Sequence, residues 1–156
     1  MSKTIGVLGG MGPEATILMM SRLLAATPAS DDADHIPLLV DSNTQVPSRI
    51  AHLIEKTGED PTPALVAMAQ RLAAGGAAFL AMPCNTAHSY YPAIAGSVQV
   101  PVLNMVELTA DAVVRTSPKG RSASSPRPQS RSPACSPAPF QRVAAMSSIR
   151  STVTLS

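Results

Sequence analysis

Aromatic side chains are nearly missing from this sequence: two Phe, two Tyr and no Trp, 3% of 156 residues. A core must therefore be built from Ala, Val, Leu, Ile and Met. Nucleic-acid binding through stacked bases has almost no platform and is not expected. No apolar run approaches the roughly 18 residues of a membrane-spanning helix, and no membrane partner is expected. The opening MSKTIGVLGG reaches its glycines before a signal-peptide apolar region develops, so the expected location is cytoplasmic. Cysteine is scarce as well. In a reducing compartment the two present, Cys84 and Cys135, read as free thiols rather than a disulfide. Together with three His they show no metal-ligand spacing, so no metal is expected.

Acidic residues are absent from the last quarter of the chain. Residues 1–114 carry five basic side chains (Lys3, Arg22, Arg49, Lys56, Arg71) and all ten acidic ones, a balance of −5. Residues 115–156 carry seven basic side chains and no acid, a balance of +7. The overall charge of +2 thus describes neither part. From Ser117 the stretch SPKGRSASSPRPQSRSPACSPAP has no apolar period and cannot offset the entropy of ordering. Residues 116–156 are read as a Ser/Pro/Arg-rich irregular tail, disordered by composition. A basic tail that binds RNA or membrane, a terminus that never joins the domain, and a shifted reading frame are three origins for it. No role is expected for Cys135 within it.

What precedes the tail alternates between strand and helix signals. Lys3–Leu8 reads as a buried strand, followed by the tight turn Gly9-Gly10-Met11-Gly12. Pro13 suits a first helical position, and Ala15–Ala26 should be a helix. Ile17, Met20 and Leu24 share one face of it, but apolar residues extend almost all round, which predicts deep burial. Pro37–Asp41 is a second strand, leading to a polar loop over Ser42–Ser48. Asp60-Pro61-Thr62-Pro63 opens a helix with Leu65, Met68, Ala69 and Leu72 at helical spacing, stopped by Gly75-Gly76. Ala77–Met82 is a third strand. A helix should follow with Ala87, Tyr90, Tyr91 and Ile94 in register, kinked or ended by Pro92. Val100–Leu103 reads as a fourth strand, and Asn104 with Glu107 as a capping box for the next helix. The order βαβαβαβα predicts an α/β fold over residues 1–115, a parallel sheet flanked by helices.

Three segments fall on the carboxyl edge of that sheet, where open α/β folds bind ligands. Cys84 follows the third strand at the start of a helix, where unpaired N–H groups and the helix dipole favour a thiolate. Asn85 and Thr86 beside it can bond a carboxylate. The plainer reading of Cys84 is a small buried thiol closing a strand. Gly6-Val7-Leu8-Gly9-Gly10-Met11-Gly12-Pro13 is neither a Walker loop nor a GxGxxG fingerprint. Glycines let backbone approach a ligand, and a small carboxylate fits better than a dinucleotide, or the turn binds nothing. In the loop after the second strand, Asn43, Thr44 and Gln45 offer polar contacts. Arg49 offers a planar fork for a carboxylate, or is a solvated arginine at a helix start. His88 lies four residues after Cys84 and could reach the thiol or cap the helix. His35 and His52 read as surface residues.

In combination and order, GVLGGMGPEAT, NTQVPSR and MPCNTAH resemble the aspartate/glutamate racemase family, amino-acid racemases that work without pyridoxal phosphate. The resemblance covers roughly residues 3–115. It implies one lobe of a two-lobed α/β protein with the active site between the lobes and one cysteine from each. One thiolate takes the α-proton from one face of the amino acid, and the opposite thiol returns a proton to the other. It implies that Cys84 is the acid/base of this lobe and that Asn85 and Thr86 bind the substrate carboxylate or amine. Met11, Asn43 and Thr44 would be pocket walls, and Arg49 the grip on a carboxylate. Ser48 stands where the family usually has an acidic residue. The implied partner is a dicarboxylic amino acid, with no cofactor. The Gly-Cys-Thr-Glu-like segment of the second lobe has no match after residue 115. A one-base site could exchange an α-proton on one face without inverting the centre. The alternatives are a catalytically inactive amino-acid-binding lobe or truncated product, a nucleic-acid-binding protein using the tail, and a maleate-type isomerase. An exposed cleft face would favour self-association, as in a homodimer.

Overall fold

A computed structural model describes residues 3–116, and the tail expected over 116–156, Cys135 included, lies almost wholly outside them. Strand β1 (Ile5–Gly9) is central in a three-stranded parallel sheet of order β2-β1-β3, with β2 at Leu38–Ser42 and β3 at Phe79–Ala81. Ile5 is in register with Leu38 on one side and Phe79 on the other. Helix α1 (Pro13–Ala26) joins β1 to β2, and α2 (Thr62–Ala74) precedes β3. A short α3 (Tyr91–Gly96) and α4 (Met105–Thr116) follow. This is the α/β class read from the sequence.

The pleat of β1 and β3 sorts the core into two layers, because successive side chains leave a strand on opposite faces. Leu8, Leu80 and Met82 join Leu65, Met68, Ala69 and Leu72 of α2 and Ile94 of α3. Ile5, Val7, Phe79 and Ala81 face the other way, with Met19 and Leu23 of α1 packed against them. Gly6 belongs to the α2 side. A Cβ there would lie 2.5 Å from a Leu80 methyl and 3.2 Å from Leu72 Cβ, so the missing side chain is what admits the helix.

Several expectations need correction. The second strand is Leu38–Ser42, one residue later than expected at each end. The fourth strand reduces to a single parallel bridge, Leu80 with Val102, closed by Leu80 N–H on Pro101 O and Leu103 N–H on Leu80 O, both 2.8 Å. Pro101 has no N–H to donate, so a full ladder cannot form there. The helix expected after Cys84 divides into a 3₁₀ turn (Thr86–Tyr90) and α3. The break falls at Pro92, as expected, with the proline in the first turn of α3, where a missing N–H costs nothing. Asn104 caps α4 by accepting from Val106 and Glu107 N–H at 3.1 and 3.3 Å, which is half of the expected box. A π-helix at Ala51–Glu55 had no sequence signal.

The deep burial expected for α1 is overturned. Thr16 is its one buried residue, while Ile17 and Leu24 are 64% and 59% exposed and Leu18 is exposed too. The stripe of Met19 and Leu23 meets the sheet, and the rest of the apolar surface has no cover among the described residues. Ile17, Met20 and Leu24 line an apolar groove of about 390 Å³ with Ile36, Leu38 and His35. His35 is half-buried there with Nδ1 lacking a partner, so it is not the surface residue expected.

His52 is not a free surface residue either. It is half-buried, and its Nδ1 pairs with the Tyr90 hydroxyl at 2.7 Å, which ties the π-helix to the 3₁₀ turn. Burial pushes the Tyr90 hydroxyl above its ordinary value of 10.0; the Asp60 carboxylate adds to the rise and the Arg49 charge opposes it. The folded state therefore holds this proton more tightly than the unfolded chain. Its contribution to stability is complete below pH 10 and is lost as pH rises through the folded value. Urea unfolding at a series of alkaline pH values should show stability falling above about pH 10, with a shallower fall in Tyr90→Phe. At neutral pH that variant should be about 1 kcal/mol less stable for the lost hydrogen bond.

Gly10 has φ of +88°, and a Cβ on it would lie 2.5 Å from the carbonyl carbon and oxygen of Asn43. Backbone cannot yield as a side chain tip can. Gly10→Ala should cost about 3 kcal/mol or more in urea unfolding, from strain plus clash. Gly96→Ala, where nothing lies within 4 Å of the added Cβ, should be neutral to slightly stabilising.

Candidate functional site

Three chain segments leave the same edge of the sheet and meet there. The first is the glycine turn after β1. Thr16 of α1 reaches back to it: its Oγ1 accepts from Gly10 N–H at 3.0 Å and donates to Gly12 O at 3.5 Å. Gly9 accommodates that side chain, since a Cβ there would lie 2.5 Å from Thr16 Cγ2. The turn is thus held against its own helix on one side and against Asn43 on the other. Met11, at its tip, is buried in the same packed cluster as Cys84, Val46 and Tyr90.

The second segment follows β2. Asn43 Oδ1 accepts from Gln45 N–H at 2.9 Å, and Gln45 Nε2 donates to the exposed Thr44 hydroxyl at 3.3 Å. Arg49 is half-buried, and its Nη1 donates to Val46 O and Pro47 O at 3.1 and 2.8 Å. Its Nε is buried with no partner among the described residues. Part of the guanidinium therefore holds its own loop, and part is uncommitted. Near the end of that strand, Asp41 accepts from Arg71 of α2 at 2.7 Å, so its carboxylate is already paired. With Arg71 more than half exposed, that pair contributes little stability.

The third segment follows β3. Cys84 is 8% exposed, and its Sγ lies 3.5 Å from Thr86 Oγ1. Asn85 and Thr86 are both exposed. The five-residue 3₁₀ turn after Cys84 supplies less dipole than the helix expected there. The thiol sits within the apolar cluster at the rim and is not free in solvent.

The structure therefore brings Met11 and Cys84 into one cluster and sets the Asn43 backbone against the glycine turn. It makes no hydrogen bond from Asn43, Thr44, Arg49 or Asn85 to the thiol. His88 does not reach the sulfur. Its Nδ1 lies 2.8 Å from the Cys84 carbonyl, and its Nε2 accepts from Met105 N–H at 3.1 Å. Sequence reasoning missed the His52–Tyr90 pair and the burial of Val46. The only signal for either was an isolated apolar residue inside a polar loop and an aromatic in a chain that has few. No group of three or more His, Cys, Asp or Glu able to hold a metal occurs among the described residues. Nor is any of their helices long and apolar enough to cross a membrane.

The chain as a whole is similar to known proteins. In sequence, the chain is 33% identical over 109 residues to the broad specificity amino-acid racemase RacX of Bacillus subtilis (strain 168), covering 67% of this chain and 47% of that protein. In structure, it matches the Picrophilus torridus aspartate racemase with TM-score 0.68 and 31% identity, over 74% of this chain and 48% of that one. An aspartate racemase homologue from Pyrococcus horikoshii OT3, at TM-score 0.58 and 20% identity over 74% and 50% of the two chains, shares the fold. The chain spans about half the length of these relatives. The family model described as Asp/Glu/Hydantoin racemase matches residues 8–123, nearly three quarters of the sequence, and the chain belongs to that family.

Proposed function

We propose that this chain is one lobe of an amino-acid racemase of the aspartate/glutamate type, in which Cys84 exchanges the α-proton of a dicarboxylic amino acid. The observation that carries this reading is the position of the Cys84 thiol at the carboxyl rim of β3, in one packed cluster with Met11 of the glycine turn. Abstraction at carbon needs a base close to the α-carbon and donors for the charge that develops on the carboxylate. Cys84 supplies the sulfur, and an apolar surrounding keeps water from competing for the carbanion. Asn85 and Thr86, exposed beside it, bind the carboxylate or amine. Arg49 grips a carboxylate, for which its buried, unpartnered Nε–H is a ready donor. Met11, Asn43 and Thr44 wall the pocket. Proton transfer by a thiol and thiolate needs no cofactor, and a free thiol suits a cytoplasmic setting.

Inversion requires a second proton donor on the opposite face of the substrate. Cys84 is the one free cysteine among the described residues, so they offer no second cysteine for that step. The same observation favours a second reading, an amino-acid-binding lobe that does not racemise.

Incubating L-aspartate with the full chain in deuterium oxide and following its α-proton by NMR tests the assignment. Exchange should fall by about 10²-fold or more in Cys84→Ala, as expected for loss of the general base. Undiminished exchange in that variant removes Cys84 from the mechanism. Binding of L-aspartate without exchange or loss of optical rotation selects the second reading.

The side of α1 left without cover among the described residues supports a homodimer. Glu14, Leu18 and Arg22 are spaced one turn apart on its exposed face. An antiparallel copy centred on Leu18 would set each Glu14 opposite an Arg22. Sedimentation equilibrium should show a concentration-dependent dimer that Leu18→Glu abolishes; a monomer at every concentration rejects it.

A further inference from the structure

His88 is bonded to backbone through both ring nitrogens. A carbonyl can only accept, so Nδ1 carries the hydrogen that goes to Cys84 O at 2.8 Å. A backbone N–H can only donate, so Nε2 is bare and accepts from Met105 at 3.1 Å. The two partners together define one state of the imidazole, neutral with its proton on Nδ1. The plane of the ring is held as well. Tyr91 stacks on it with 4° between planes and 6.5 Å between centroids, and the Tyr91 hydroxyl is anchored on Val102 O at 3.0 Å.

The partners lie in different elements. Cys84 is in the loop after β3, and Met105 is the first residue of α4. Helix α4 buries none of its residues, so the bond to His88 is a principal tie at its start. Beyond its packing in the apolar cluster, the Cys84 sulfur has one polar approach among the described residues, the Thr86 hydroxyl at 3.5 Å. With so little polar restraint on the sulfur, its direction depends on where the backbone sets it within that packing, and the backbone carbonyl of Cys84 is the atom His88 holds.

We infer that His88 is a positioning residue for the Cys84 thiol, a neutral imidazole strut that fixes the Cys84 backbone by tying it to the start of α4. The relevance of this to catalysis rests on the proposed role of Cys84. The strut itself does not, and its test needs no turnover.

In the full chain carrying Cys135→Ser, Cys84 is the sole thiol, and its alkylation by iodoacetamide can be followed by mass spectrometry under native conditions. Nitrogen-15 NMR of the His88 ring should show a protonated Nδ1 and a bare Nε2. His88→Leu keeps the bulk and removes both bonds. It should speed alkylation at least about fivefold, the equivalent of one net neutral hydrogen bond. His88→Gln, whose amide can donate to the Cys84 carbonyl and accept from Met105 N–H, should return the rate to within about twofold of the parent. Ile5→Val, a core change in the other layer of the sheet that lowers global stability away from the strut and the thiol, should leave the rate unmoved. An Nε2-protonated ring, equal rates in the Leu variant and the parent, or acceleration by Ile5→Val equal to that of His88→Leu would each overturn the inference. Absence of α-proton exchange in the parent protein would count against the racemase reading alone.

Discussion

Two backbones touch at the rim of this sheet, and the contact decides what the rim can do. The carbonyl of Asn43 lies where a Cβ of residue 10 would be, so the turn after β1 and the loop after β2 can meet only because residue 10 is glycine. On its other side the same turn is bonded to Thr16, a polar residue buried at the start of α1. Held from both sides, Met11 has one place to go, into the cluster that contains Cys84. Positive φ at Gly10 and the omitted side chain at Gly9 serve one end, a rigid floor beside the thiol.

The polar groups of the rim are largely committed to holding it together. Arg49 holds two carbonyls of its own loop, Asn43 closes a turn onto Gln45, Asp41 is matched by Arg71, and His88 spans Cys84 and α4. Such commitments reduce the motion of the few groups left over, the thiol, the Nε–H of Arg49 and the exposed Asn85 and Thr86. Preorganisation of this kind is what a site acting on a small, charged molecule needs, because donors already in place require no reorganisation when charge develops.

Much of the fold was legible because period and punctuation agreed. The apolar spacing of Leu65, Met68, Ala69 and Leu72 marked the buried face of α2, all four being buried, and Gly75-Gly76 marked its end. The apolar runs Lys3–Leu8 and Ala77–Met82 marked the strands that became β1 and β3, while which residue faces which layer came from the assembled sheet. Other elements were not legible. Val100–Leu103 has strand composition, but Pro101 removes a ladder donor and one bridge remains. The apolar content of α1 signalled burial, yet only the stripe facing the sheet is covered within residues 3–116. Composition reports what a helix can bury; which side meets a partner is a property of the assembled chain.

At the site, the sequence by itself determined which chemistry is available: a thiol after a strand, a guanidinium in a polar loop, glycines at a turn. Each of those is a local fact, carried by residue type and by neighbours a few positions away. Only the tertiary structure decided that the thiol packs with Met11, that Arg49 spends one nitrogen on its own loop, and that His88 bonds the backbone of Cys84 and not its sulfur. Those outcomes depend on hydrogen bonds between segments distant in sequence. Such partners compete for the same donors and acceptors, and spacing along the chain does not say which of them wins.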